Sequence, residues 1–199
     1  MYPNYVASEA VLASENVFFT EDAAIREPFD LTLQPFCRNA TAAMDWGGTI
    51  MNRYMSRDNK SRHTRKTTDV FEMAASITIQ TSIQCVAIQP NNLNELPQVE
   101  LDFLKSIPTT WDETRYIDGY PGKYVVLARR HGNEWYIAGL NAESQAKKLT
   151  LKLPMLQPGQ TISYYTDNKE GYAELRQVKV DKKGQVKVVM QPNGGCILK

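Results

Sequence analysis

The sequence predicts two successive kinds of structure, a helix-containing segment and then an antiparallel β-sandwich. Three observations support this fold class. A strong helical pattern begins at Asp69, β-rich runs separated by short turns fill the chain after Pro108, and the change of character falls at Ser106-Ile107-Pro108. We therefore place a domain boundary between residues 106 and 107, which divides the chain into segments 1–106 and 107–199.

The helical pattern has a clear start and a clear stop. Asp69, with Glu72 three residues later, resembles a capping box. Apolar residues then recur at helical spacing until Pro90, which predicts a helix over residues 69–89. A shorter helix is predicted around residues 99–105. Residues 40–48 predict a short buried strand that leads into a glycine turn.

The β-rich part contains two hairpin signals. Residues 123–129 and 134–140 flank His131-Gly132-Asn133, and residues 177–180 and 185–190 flank Asp181-Lys182-Lys183-Gly184. Further strands are predicted at residues 149–153, 161–165 and 196–198. Strands at this spacing, with Gly, Asn and Asp in the turns, are typical of an antiparallel sandwich.

The composition narrows the range of partners. The formal net charge of the 199 residues is +1, so no global charge favours nucleic acid or an anionic membrane. A local basic cluster lies among Ser, Asn and Thr, and we interpret it as a solvated loop, with a phosphate or nucleic-acid site as the alternative: Arg53, Arg57, Lys60, Arg62, Arg65 and Lys66. The chain shows no signal-peptide pattern and no apolar run near the roughly 20 residues that span a bilayer, so no membrane association is expected.

The cysteines do not indicate a disulfide framework or a zinc site. Cys37, Cys85 and Cys196 are odd in number, widely spaced and without a Cys-x-x-Cys pair. Cys85 lies in an apolar run, where a buried free thiol is expected. His63 and His131 lie in polar loops with no acid or nucleophile beside them in sequence.

Two carboxylates stand out by their spacing. Glu9 and Glu15 are six residues apart, and carboxylates at this range can share a Ca²⁺ ion or supply a general acid. The alternative is a pair of surface glutamates. Trp46 beside Asp45, and Trp111 beside Asp112, fit either a sugar-stacking platform or ordinary packing.

Several segments together resemble glycoside hydrolase family 97. Pro-Thr-Thr-Trp-Asp-Glu-Thr at residues 108–114 and the strand after it are the most specific part. The resemblance covers essentially the whole chain and includes residues 2–4, 9–15, 31–38, 43–45, 69–89, 107–114, 122–130 and 134–139.

The resemblance implies a fold and a chemistry. Residues 1–106 would be the last βα units of a (β/α)₈ TIM barrel, and residues 107–199 the C-terminal antiparallel β-sandwich domain. Glu9 and Glu15 fall on two glutamates that bind calcium in this family, and Glu15 on the general acid. The implied substrates are α-glucosides or α-galactosides, and the implied location of the parent enzyme is periplasmic or extracellular.

Two hypotheses follow. In the first, the chain is the C-terminal portion of a calcium-dependent α-glycosidase whose N-terminal part would precede Met1. In the second, it is a truncated, non-catalytic fragment whose β-domain is a structural or carbohydrate-contacting module. A TIM barrel needs about 250 residues, so we expect the chain alone to be inactive.

Overall fold

The computed structural model describes residues 14–44, 48–79, 81, 84 and 86–199. Six α-helices lie within these ranges: α1 (Ser14–Phe19), α2 (Glu21–Leu33), α3 (Arg38–Thr41), α4 (Asp69–Thr78), α5 (Asn92–Glu95) and α6 (Gln98–Ser106). A 3₁₀ helix (Gln34–Phe36) follows α2. Eight strands follow them: β1 (Glu113–Tyr120), β2 (Tyr124–His131), β3 (Glu134–Asn141), β4 (Lys147–Lys152), β5 (Thr161–Asp167), β6 (Ala173–Lys179), β7 (Gln185–Met190) and β8 (Gly195–Leu198).

The strands form two antiparallel sheets. The large sheet has the order β1-β2-β3-β8-β5-β6, and β4 pairs with β7 in a small sheet. Apolar side chains fill the space between the sheets, with Val126 and Ile137 from the large sheet meeting Leu151 and Val188 from the small one. The sequence prediction of an antiparallel sandwich is therefore confirmed.

The opposite face of the large sheet is covered by α4. This helix is buried along its whole length and shares a core with β-strand residues such as Val125, Leu127 and Ile197. Gly195 allows the close approach, because a Cβ atom there would lie 2.5 Å from the carbonyl oxygen of Val70. Phe103 of α6 extends the same core, with its ring centroid 5.0 Å from that of Tyr165.

The helix α4 begins as predicted and ends earlier. The Thr68 side chain accepts a hydrogen bond from the Phe71 amide at 3.2 Å and caps the N-terminus. The predicted helix over residues 69–89 is wrong in its C-terminal half, because the helix ends at Thr78 and Ile79 has an extended backbone. The buried guanidinium of Arg129 donates to the Thr78 and Ile79 carbonyls, which replaces the hydrogen bonds that a further turn would make.

The two predicted hairpins have different outcomes. Strands β2 and β3 pair in register from Tyr124 opposite Asn141 to His131 opposite Glu134, so the first hairpin is confirmed. The second is wrong, because β6 pairs with β5 and β7 pairs with β4. The turn at Asp181 is present, and Gly184 N–H donates to the Asp181 carbonyl at 3.1 Å, but the chain crosses there from one sheet to the other.

The N-terminal part contains helices and loops. Residues 38–41 are helical, so the predicted strand over residues 40–48 is wrong at its start, and residues 45–47 lie outside the described ranges. The described residues before Glu113 contain no strand of either sheet, so the barrel units stay a prediction, as does the division at residues 106 and 107. No helix in the described part is both long and apolar enough to cross a membrane.

Candidate functional site

The structure does not describe the side chains of the two carboxylates that are predicted to carry the chemistry. Glu9 lies outside the described residues, and Glu15 is described only by its position in α1. Asp45 and Trp46 also lie outside the described ranges. Within those ranges no group of three His, Cys, Asp or Glu side chains is arranged to hold a metal ion. The calcium site at Glu9 and Glu15 therefore stays a prediction.

The loop at residues 48–66 holds α1 in place. His63 contacts the Val17 carbonyl through Nε2 at 2.6 Å, and Arg62 donates to the Phe19 carbonyl at 3.4 Å. Val17 is buried against Ile50 and other apolar groups of this loop. Because Val17 follows Glu15 by two residues, these contacts fix the backbone that carries the predicted acid.

A buried ionic network centred on Arg65 joins this loop to α4. The Arg65 guanidinium forms an ion pair with Asp69, and it also donates to the carbonyls of Ile50 and Thr67. The neighbouring Glu72 accepts a hydrogen bond from the Ile50 amide at 2.9 Å and another from the Thr67 hydroxyl. The prediction of a solvated basic loop is wrong for Arg65, since its side chain is buried and its ion pair with Asp69 offsets part of the cost of burying the charge.

The network contains more carboxylates than cations. Burial raises the pKa of Glu27 well above its ordinary range, and the nearby Glu72 raises it further. Neither carboxylate oxygen of Glu27 has a hydrogen-bond partner. Burial also raises the pKa of Glu72, against the opposing effect of Arg65. A single guanidinium cannot neutralise all of these groups, so the network favours protonated carboxylic acids.

A second carboxyl pair joins α4 to α6. Burial, and then the charge of Asp69, raise the pKa of Glu100 from 4.5 to about 8. Glu100 Oε1 accepts a hydrogen bond from the Ala173 amide at 2.7 Å, whereas Glu100 Oε2 and Asp69 Oδ2 are buried with no donor. A proton shared between these two carboxyl groups would satisfy both oxygen atoms.

The segment around Trp111 has a structural role. The indole packs edge-to-face on Tyr136 at 5.3 Å between ring centroids and contacts the main core. The Asp112 carboxylate accepts a hydrogen bond from the Gly132 amide at 2.7 Å, and Glu113 forms an ion pair with Arg115. These contacts support the packing alternative over a sugar platform.

The remaining predicted candidates show no catalytic arrangement. His131 contacts the Thr110 carbonyl through Nδ1 at 2.9 Å. Cys37 is exposed and Cys196 is buried, both as free thiols, and burial raises the pKa of the Cys196 thiol to about 12. Cys85 lies outside the described residues. In the part of the chain that the structure describes, neither thiol is set up as a nucleophile.

Sequence reasoning missed Arg65 and Arg129 as buried groups. The signal for Arg65 is its four-residue spacing to Asp69 on the way into a helix. The signal for Arg129 is its position within an apolar strand, where the residue is 1% exposed. Both arginines are buried because carbonyl or carboxylate acceptors lie on a neighbouring segment.

Comparison with known proteins identifies relatives of this chain. Residues 110–199 match the family model described as "Glycosyl-hydrolase 97 C-terminal, oligomerisation". A retaining alpha-galactosidase of Bacteroides thetaiotaomicron is 27% identical over 208 residues, which cover 100% of this chain and 31% of that protein. The chain thus spans about a third of the length of this curated relative.

Solved structures agree with the sequence match. A crystal structure of a beta-arabinopyranosidase is 48% identical, with a TM-score of 0.95, over 100% of this chain and 31% of that chain. A family 97 enzyme of Pseudoalteromonas sp. strain K8 shares the fold at 20% identity, with a TM-score of 0.66, over 86% of this chain and 28% of that chain.

The helix-backed sandwich is thus similar to the C-terminal domain of glycoside hydrolase family 97 proteins. Its relatives are named as glycosidases, and the family match falls on the strands β1 to β8 and the segment before them. The match over residues 110–199 and the shared fold support a glycoside hydrolase family 97 C-terminal domain in this chain.

Proposed function

We propose that the chain is the C-terminal part of a retaining glycosidase that hydrolyses α-galactosides or β-arabinopyranosides. The observation that carries this proposal is the 48% identity to a beta-arabinopyranosidase across the whole chain. The curated alpha-galactosidase relative supports the same class of substrate. L-Arabinopyranose and D-galactopyranose share the configuration of their ring hydroxyls and differ by one hydroxymethyl group, so one active site can accommodate both.

In this proposal Glu15 is the general acid. A carboxylic acid beside the glycosidic oxygen gives its proton to the leaving group and later removes a proton from the attacking water. The second carboxylate of a retaining mechanism, the nucleophile, would come from another part of the parent enzyme. Glu9 and Glu15 would hold Ca²⁺ through their oxygen atoms, and the bound ion would supply a fixed positive charge at the site.

The contacts of α1 support this role for Glu15. His63 and Arg62 bind backbone carbonyls on the helix, and Lys66 forms an ion pair with Glu21 at the start of α2 at 2.7 Å. A general acid must keep its position to within about 0.5 Å. A helix held along its C-terminal half by a loop, and that loop held by the buried Arg65, provides such a support.

The test is Glu15→Gln in the full-length parent enzyme, assayed on p-nitrophenyl α-galactoside, α-glucoside and β-L-arabinopyranoside. General acid catalysis contributes about 10²–10⁴-fold, so turnover should fall by that factor while the melting temperature stays unchanged. Substrates with poorer leaving groups should lose more. Asp22→Asn is the matched control on a neighbouring exposed carboxylate, and it should retain turnover. Unchanged turnover in the Glu15 variant would refute the assignment.

A non-catalytic role for the isolated chain is the second candidate. It is favoured by the fact that the chain spans 31% of the curated relative. The purified 199-residue chain should then release no p-nitrophenol from these substrates, either with calcium or with a chelator. Calcium-dependent release would show that the chain alone assembles a complete site.

A further inference from the structure

A cleft at one end of the sandwich combines apolar and hydrogen-bonding groups. It has a volume of about 440 Å³ and lies between the start of β3 and the loop from β4 to β5. Small-molecule sites have volumes of about 300–1,000 Å³. The apolar side of the cleft is formed by Trp135, Met155 and Leu156.

The Trp135 indole is held in a fixed orientation. The Arg115 guanidinium lies 4.8 Å from the centroid of the ring, and the indole packs against the core between the two sheets. Trp135 remains partly exposed at the cleft, unlike the buried Tyr136 that follows it. A rigid, partly exposed indole presents a flat apolar surface to a ligand at little cost in side-chain entropy.

Amide side chains line the polar side of the cleft. Asn133 and Gln157 are exposed, and no described residue forms a hydrogen bond with either side-chain amide. Gln160 accepts a hydrogen bond from the Gln157 backbone amide at 3.1 Å, which fixes the loop. Each amide group offers both a donor and an acceptor, the combination that sugar hydroxyls require.

The charges in the cleft cancel. The Glu134 carboxylate and the Lys199 ammonium group lie 3.7 Å apart and are the charged side chains that line it. Tyr136 also donates to Glu134 at 2.9 Å. A cleft without net charge favours a neutral ligand over a phosphate or a metal ion.

We propose that this cleft binds a neutral pyranose ring of an oligosaccharide. The C–H face of the ring would lie on Trp135, Met155 and Leu156, and its hydroxyls would exchange hydrogen bonds with Asn133 and Gln157. The expectation that galactose is among the sugars bound rests on the proposed function. The apolar and amide surfaces of the cleft are independent of it.

The test is calorimetric titration of the 199-residue chain with raffinose, maltotriose, xylotriose and cellotriose. We expect raffinose to bind with a dissociation constant of the order of 1 mM. Trp135→Ala should weaken binding about tenfold, because it removes the stacking surface. Gln157→Ala should weaken it about threefold, and this exposed change leaves the fold intact. Tyr120→Ala is the control, since Tyr120 is 59% exposed and does not line the cleft.

Two results would overturn the proposal: no binding of any of the four trisaccharides, or unchanged affinity in both the Trp135 and the Gln157 variants. Thermal unfolding of each variant establishes that the protein tested is folded. Failure of the proposed function is distinguishable, because it appears as absent hydrolysis of aryl galactosides by the parent enzyme while trisaccharide binding in the cleft persists.

Discussion

Replacing Glu100 with glutamine should stabilise the fold at neutral and alkaline pH. The new amide side chain would have the shape of the protonated acid: its oxygen can accept from the Ala173 amide, and its NH₂ group can donate to Asp69. In the Glu100→Gln variant, the side chain at position 100 no longer has to bind a proton when the chain folds. The matched control is Asp102→Asn, an exposed change on the same helix.

The sign and size of the expected change in unfolding free energy follow from the raised pKa of Glu100. The pKa of Glu100 in the folded state is about 8 against 4.5 ordinarily, so folding favours the protonated form. The wild type therefore loses stability relative to the Glu100→Gln variant as the pH rises from 4.5 to 8, by at most about 1.4 kcal/mol per pH unit. Solvent screening reduces the total, and we expect about 2 kcal/mol at pH 8.

Urea unfolding at pH 5, 7 and 8.5 measures this difference. The stability gain of Glu100→Gln should be near zero at pH 5, should grow by pH 7 and should level off above pH 8. Asp102→Asn should stay within about 0.5 kcal/mol of the wild type at each pH. A loss of stability in the Glu100 variant at pH 8.5, or a gain that does not change with pH, would refute a shared proton between Glu100 and Asp69.

Two further predictions concern packing around α4. Arg129→Met should lower the free energy of unfolding by about 2–4 kcal/mol in urea, because the Thr78 and Ile79 carbonyls lose their donors; Arg176→Met, on an exposed side chain, should cost less than about 0.5 kcal/mol. An equal effect in both would contradict the capping role. Gly195→Ala should cost at least about 2 kcal/mol, since the new methyl group meets the Val70 carbonyl. Gly132→Ala is the control, because a Cβ atom there meets no other group; its positive φ of 58° should still cost about 1 kcal/mol. A larger loss at Gly132 than at Gly195 would show that the clash with Val70 does not cause the destabilisation at Gly195.

Local patterns predicted most of the β-domain. The hairpin around Gly132 and the strands at residues 149–153, 161–165 and 196–198 were predictable because alternating apolar residues and turn chemistry act over a few neighbouring positions. The pairing partners of β6 and β7 could not be predicted from these local patterns. The turn after Asp181 looks the same whether the chain returns to the same sheet or crosses to the other, so the sequence could not distinguish β6–β7 pairing from the observed arrangement.

The end of α4 was unpredictable for a related reason. Residues 79–86 continue the apolar spacing of the helix, and the signal against continuation comes from Arg129, 50 residues further along the chain. The same holds for Arg65, whose burial depends on Glu72 and Glu27 from separate helices. The predicted acid Glu15 was selected by its resemblance to a family motif, and its side chain lies outside what the structure describes.

The helices before Glu113 are too few to close a core around α4 by themselves, and the structure shows how the chain completes that core. The large sheet supplies one side of the core, through Val125, Leu127 and Ile197. Asp69 and Glu72, from the first turn of the same helix, reach the Arg65 network that anchors the loop beneath α1. One helix therefore connects the sandwich to the segment that carries Glu15. A change at Gly195 in β8 would displace α4 and with it the support of the predicted acid, so in the parent enzyme Gly195→Ala should lower turnover as well as stability.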